Sequence, residues 1–169
     1  MAKLTTTLLI TASLIAVAGC AKKPPAQLPP PPSATGPDAS QGGGYGNVVP
    51  GSRADFERSV TSNTIHFDLD KYDINGEARA TLDSQAAWLI KYPNVPISLE
   101  GHCDERGTRE YNLALGDRRA NSAKNYLASR GVNPSRISTI SYGKERPIAL
   151  GSDEASWAQN RRAVTIVLN

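Results

Sequence analysis

Between residues 21 and 51 the chain carries eight of its twelve prolines and six of its fourteen glycines. Pro29-Pro30-Pro31-Pro32 favours a stiff polyproline II stretch, Gly42-Gly43-Gly44 is limp, and no apolar periodicity joins them. Such a segment buries too little apolar surface to offset its conformational entropy, so it is expected to serve as a leash. As a coil it would span roughly 30 Å, and at full stretch about 100 Å. The prolines also permit a second reading, as a ligand for an SH3-like domain. In either case the folded core must come from the remainder of the chain, about residues 52–169. With 39% apolar and 6% aromatic residues in 169, there is material for one modest core and not two.

Ahead of the leash, Lys3 supplies a minimal positive region and Leu8 to Ala18 an apolar run too short for a comfortable membrane span. It ends Val17-Ala18-Gly19-Cys20. Small residues before the cut let an extended backbone enter a narrow protease cleft, so residues 1–19 read as a secretory signal. The cysteine directly after the cut resembles the lipobox of bacterial lipoproteins; the alternative is an ordinary signal with an incidental cysteine. The lipobox resemblance implies that Cys20 is acylated on its thiol and on its new amine. At about 0.8 kcal/mol per buried methylene, three chains would hold a membrane firmly where one is marginal. Ala21 after the cysteine, in place of an aspartate, resembles the sorting pattern for the outer membrane of a Gram-negative envelope. Residues 20–51 are then a lipidated cysteine and linker.

The charge excludes some classes. Lys and Arg number 19 against 16 Asp and Glu, a net +3, with the signs interspersed. No basic tail exists to drive nonspecific nucleic-acid binding, and no nucleic-acid partner is expected. Two cysteines without a CxxC pair supply neither a disulfide framework nor a structural zinc site.

Past residue 52 the pattern alternates. Thr64-Ile65-His66-Phe67 reads as a short strand. Asn75 caps a helix to about Tyr92, with Ala78, Leu82, Ala86 and Leu89 on one face, and Pro93 ends it. Ile97 to Glu100 alternates as a half-buried strand. A second helix is predicted from about Asn112 to Arg130, with Gly116, Ala120, Ala123 and Leu127 inward and Gly131 as its left-handed stop. Ile137 to Tyr142 and Ala163 to Leu168 complete the strands, with a short helix between them and Val164, Ile166 and Leu168 sharing a face. The economical architecture is α+β, a two-layer α/β sandwich (β-α-β-α-β-β) with both long helices on one sheet face.

The most polar stretch of this domain, Gly101 to Ala120, joins a strand end to a helix start, where loops commonly carry binding groups. Asp104 lies just past the strand and Arg119 about two turns into the helix. Together they could grip a zwitterion, the acid holding an ammonium and the guanidinium fork a carboxylate. Alternatively they pair with each other.

This stretch, with Phe67-Asp68-Leu69-Asp70-Lys71-Tyr72-Asp73-Ile74 before it and Tyr142-Gly143-Lys144-Glu145-Arg146-Pro147 and Asn160-Arg161-Arg162-Ala163-Val164 after it, resembles the OmpA-like peptidoglycan-binding domain. The resemblance covers about residues 60–169. Cys103 departs from the threonine or alanine usual there, a side chain the family does not use on its ligand. The resemblance implies an outer-membrane lipoprotein that binds the meso-diaminopimelate stem peptide of peptidoglycan, without cofactor, metal or catalysis. Asp104 would hold the ammonium and Arg119 the carboxylate of diaminopimelate, while Leu69, Asp70, Arg106 and Thr108 would wall the peptide. Substituting Asp104 or Arg119 is expected to abolish binding with the fold intact. Asn112 would fix the loop rather than touch the ligand, and Arg161 and Arg162 would pair with loop carboxylates, the alternative being that they contact the ligand. The resemblance further implies a place in the Tol-Pal system of envelope integrity and cell division, with TolB and TolA as partners. TolB would dock over the same mouth, with Glu105, Arg106, Arg109 and Glu110 as a rim. An envelope lipoprotein outside that system, acting mainly as a protein-interaction module, is the competing reading.

Sharper chemistry finds less support. His102 and Cys103 are adjacent in a strand and point to opposite faces, so the histidine is poorly placed to activate the thiol, which reads as a small buried hydrophobe. Asp68, Asp70 and Asp73 lack the spacing and glycine of an EF-hand and read as a solvated turn. His66, Glu100 and His102 have no ligand spacing signature for a metal, and Trp88 and Trp157 read as packing residues.

Overall fold

The computed structural model describes residues 48–168. The expected signal 1–19, the lipidation site Cys20 and all but the last four residues of the linker lie outside the described residues.

The described chain opens with a helix that the periodicity did not predict, α1 (Arg53–Ser59). Its signature is local rather than periodic: the Ser52 side chain accepts from Asp55 N–H, and Asp55 lies in the first turn. One apolar residue, Phe56, anchors it, packing edge-on at 5.0 Å against the Trp88 ring. A seven-residue helix with a single buried side chain offers too few repeats for a 3.6 period to register. Trp88 is buried and donates its indole N–H to Asp55, as a packing residue with one polar handle would.

The rest follows as β1 (Thr64–His66), α2 (Gly76–Lys91), β2 (Ile97–His102), α3 (Arg109–Ser129), a 3-10 turn at Pro134–Arg136, β3 (Ile137–Gly143), α4 (Glu154–Asn160) and β4 (Arg162–Val167). Asn75 caps α2 by accepting from Ala78 N–H. Gly131 takes a φ of 96° after α3, and Val132 N–H returns to Leu127 O at 3.1 Å, satisfying carbonyls the helix leaves open.

The sheet has the order β1-β4-β2-β3, with β2 and β3 parallel and the other pairs antiparallel. Its inner face presents Ile65, Ile97, Leu99, Ile137, Ala163 and Val167, which form one cluster with Ala78, Leu82 and Leu89 of α2 and Ala120, Ala123 and Leu127 of α3. The two-layer α+β expectation therefore holds. Val164, Ile166 and Leu168 do share a face, but it is the outer one. Ala163, Thr165 and Val167 point inward, and the buried Thr165 hydroxyl donates to Gln85 Oε1 at 2.7 Å.

One contact fixes where α3 lies. Gly101 of β2 and Gly116 of α3 meet backbone to backbone: a Cβ built on Gly101 would overlap the Gly116 carbonyl, and one on Gly116 would overlap Ser141 Oγ. Side chains there would push the helix off the strand. Gly101→Ala is accordingly expected to lower unfolding free energy by about 3 kcal/mol in urea denaturation. Gly76→Ala, where nothing lies within 4 Å, should stay within about 0.5 kcal/mol of the parent.

Candidate functional site

Strand β2 ends at His102, and the chain turns through Cys103, Asp104, Glu105 and Arg106 into α3. Thr108 caps that helix, its hydroxyl accepting from Tyr111 N–H at 3.2 Å. Gly107, at a φ of 82°, makes the turn possible. Asn112 holds the loop in shape: its buried amide donates to Arg106 O at 2.7 Å and Thr108 O at 2.9 Å. Opposite lies the loop from β1 to α2, where Asp70 adopts a φ of 55°.

Between the loops and α3 is a cavity of about 330 Å³, at the small end of the range for ligand sites. Leu69, Asp70, Asp104, Arg106 and Arg119 all line it, as do Cys103, Gly107, Tyr111, Asn112 and Leu115. Of the residues expected to wall a ligand, Thr108 is not among those lining it, its hydroxyl being spent on the helix cap. Tyr111 was missed because the helix was expected to begin at Asn112, and Leu115, inside that helix, was not singled out. Begun at Arg109, the helix carries Tyr111, Leu115 and Arg119 at i, i+4 and i+8, one continuous stripe.

Arg119 is completely buried. Its Nε donates to Lys71 O at 2.8 Å, Nη1 to His102 O at 2.8 Å and Nη2 to Asp68 O at 3.1 Å. The side chain thus ties the β1–α2 loop to the end of β2, with the guanidinium 5.2 Å from the Phe67 ring centroid. Burial lowers its pKa, yet an arginine stays cationic in a protein. Three of its five N–H groups go to these carbonyls, and the side chain also reaches the Cys103 thiol.

Asp104 is 5% exposed. It does not close a salt bridge with Arg119: its partners are Arg106, whose Nη2 lies 2.6 Å from Oδ2, and Arg161, whose Nη1 lies 3.5 Å from the same oxygen. Burial opposes its ionisation, but the hydrogen bonds from Arg106 outweigh that and hold its pKa below the usual carboxylate range. Arg161 pairs with carboxylates as expected, reaching Asp104 and, at 2.7 Å, Glu154. Arg162 does not. It is buried at the start of β4 and donates to the carbonyls of Asn160 and Arg146, because no carboxylate lies within bonding reach there.

Cys103 is buried, its thiol donates to Asn112 O at 3.3 Å, and burial pushes its pKa up to about 11. His102 is buried on the opposite face of the strand, stacked on Tyr142, with its pKa brought down to about 4 by burial and then by Arg162 and Arg146. A protonated thiol and an imidazole on the other face do not make a nucleophile pair. Asp68, Asp70 and Asp73 are exposed, as a solvated turn requires. Trp157 packs at an edge, its ring 4.0 Å from the Arg106 guanidinium and its N–H donating to Glu105.

The geometry revises one expectation. Arg119→Ala would strand the buried His102 carbonyl and release those of Asp68 and Lys71, so the fold is not expected to be indifferent to it. Removing the side chain should cost about 3 kcal/mol or more of stability. Arg119→Lys, which keeps the charge but not the planar fork, should also lower Tm by several degrees. Thermal unfolding that left either variant at the parental Tm would contradict the clamp.

Comparison with known proteins places this fold and site in a family. Residues 66–161 match the OmpA family. The peptidoglycan-associated lipoprotein of Rhizobium meliloti is 53% identical over 153 residues, covering 90% of this chain and 82% of that protein. The corresponding protein of Agrobacterium fabrum is 49% identical over the same length and coverage. The crystal structure of the peptidoglycan-associated lipoprotein from Burkholderia pseudomallei superposes with a TM-score of 0.64 at 42% identity, over 68% of this chain and all of that one. With this sequence likeness along most of its length and the OmpA match over the cavity-bearing segment, the chain belongs to the OmpA family, among its peptidoglycan-associated lipoproteins.

Proposed function

We propose that this protein is an outer-membrane lipoprotein whose folded domain holds the cell wall by the diaminopimelate tip of its stem peptide. The observation that carries this is the cavity: a buried carboxylate, Asp104, and a buried guanidinium, Arg119, line one hollow of about 330 Å³. Diaminopimelate ends in an ammonium and a carboxylate on one carbon. Asp104 would take the first and Arg119 the second, with Leu69, Asp70 and Arg106 around the peptide. The relatives' name, peptidoglycan-associated lipoprotein, supports the cell wall as the partner.

Charge-assisted contacts contribute on the order of 1.5–3 kcal/mol each, and association entropy removes much of that. Weak binding suffices if Cys20 is acylated, because an anchored domain meets the wall at high effective concentration. A place in the Tol-Pal system, with TolB and TolA as partners, extends this reading. The exposed Glu105, Arg109 and Glu110, with the half-buried Arg106, rim the cavity mouth and offer TolB a polar surface, so wall and TolB should exclude each other.

Asp104→Asn is the informative variant, since Asp104 is not part of the Arg119 clamp. It should sediment with purified peptidoglycan at least roughly tenfold less than the parent. Free meso-diaminopimelate should compete the parent off the wall. A folded Asp104→Asn protein that sediments like the parent would refute the assignment.

A further inference from the structure

All three hydrogen bonds to the Asp104 carboxylate come from Arg106. Oδ1 accepts from the backbone N–H and Nε of Arg106, both at 3.1 Å, and Oδ2 from Arg106 Nη2 at 2.6 Å. Arg161 Nη1 approaches Oδ2 at 3.5 Å. An ionised carboxylate offers about four acceptor sites; Arg106 fills three and Arg161 faces the oxygen that carries the fourth, so an ammonium meets Asp104 in competition with a guanidinium. The two guanidiniums are not equally fixed. The Arg161 side chain is 8% exposed, its Nε committed to Phe67 O and its Nη2 to Glu154. The Arg106 side chain is 34% exposed and already lies over the Trp157 ring, with Nη1 3.9 Å from Glu154 Oε2. Its backbone N–H can stay on Oδ1 wherever the side chain goes.

We infer that Arg106 is a built-in competitor for the cationic end of the ligand. Its guanidinium occupies Asp104 and must turn from it toward Glu154, along the Trp157 face it already covers, before an ammonium is held. This rests on the reading of the cavity as an ammonium–carboxylate site. The exchange swaps one cation for another, so a ligand without an ammonium has nothing to trade for the lost ion pair and is selected against. Arg106 then sets specificity at the expense of affinity, unlike a residue that only walls the peptide.

The two roles predict opposite signs. In isothermal titration with meso-diaminopimelate, Arg106→Gln should bind roughly three- to tenfold more tightly than the parent. Arg106→Ala serves as a second variant in which no side-chain amide can reach Asp104. The gain should vanish in the Asp104→Asn background, a dependence that a merely structural role would not show. Unchanged or weaker binding by both Arg106 variants, at parental Tm, overturns the inference. If Asp104→Asn alone loses binding while the Arg106 variants gain nothing, the competitor role fails and the ligand reading survives. If Asp104→Asn alone binds like the parent, the ligand reading fails and the competitor role falls with it.

Discussion

A fully buried guanidinium is costly unless it is hydrogen-bonded, and Arg119 finds its three acceptors in the backbone rather than in a carboxylate. Its three partners, the carbonyls of Asp68, Lys71 and His102, belong to two segments more than thirty residues apart in the chain. The loop after β1 and the end of β2 are therefore held at a fixed separation by one side chain of α3. Both segments line the cavity. On the proposed reading, the residue that would meet a ligand carboxylate is the same one that holds the two segments together.

The clamp depends on α3 lying close to the sheet, and that depends on two positions without side chains. Gly101 and Gly116 let helix and strand meet backbone to backbone. Arg119 follows Gly116 by three residues, so it leaves the helix on the same side, where the strand has just ended and its last carbonyl is free to accept. Next door, Asp104 is kept ionised by arginines rather than by solvent. A buried charge in the cavity wall is thus neutralised internally until a ligand brings its own cation.

Much of this was legible from sequence, and the misses have physical causes. Both long helices announce themselves by an apolar stripe and by Asn75 or Gly131 at an end, and the strand cores by alternation. Helix α1 was missed because its evidence is a cap and one phenylalanine. The start of α3 was placed three residues late because Arg109, Glu110 and Tyr111 are polar or exposed and leave no stripe. That shift hid Tyr111, whose hydroxyl donates to Asp70 at 3.3 Å across the cavity mouth. Asp104 and Arg119 could be singled out from charge, position and resemblance, but not their partners. A carboxylate in a sequence does not say which of several nearby arginines it will meet, and a guanidinium does not say that it will choose carbonyls.

The most direct measurement is a crystal structure of the protein with meso-diaminopimelate bound. The account requires one carboxylate of the ligand on the Arg119 guanidinium, the neighbouring ammonium on Asp104, and the Arg106 guanidinium turned from Asp104 toward Glu154. Ligand density outside this cavity, or a bound ammonium that leaves Asp104 untouched, would contradict it.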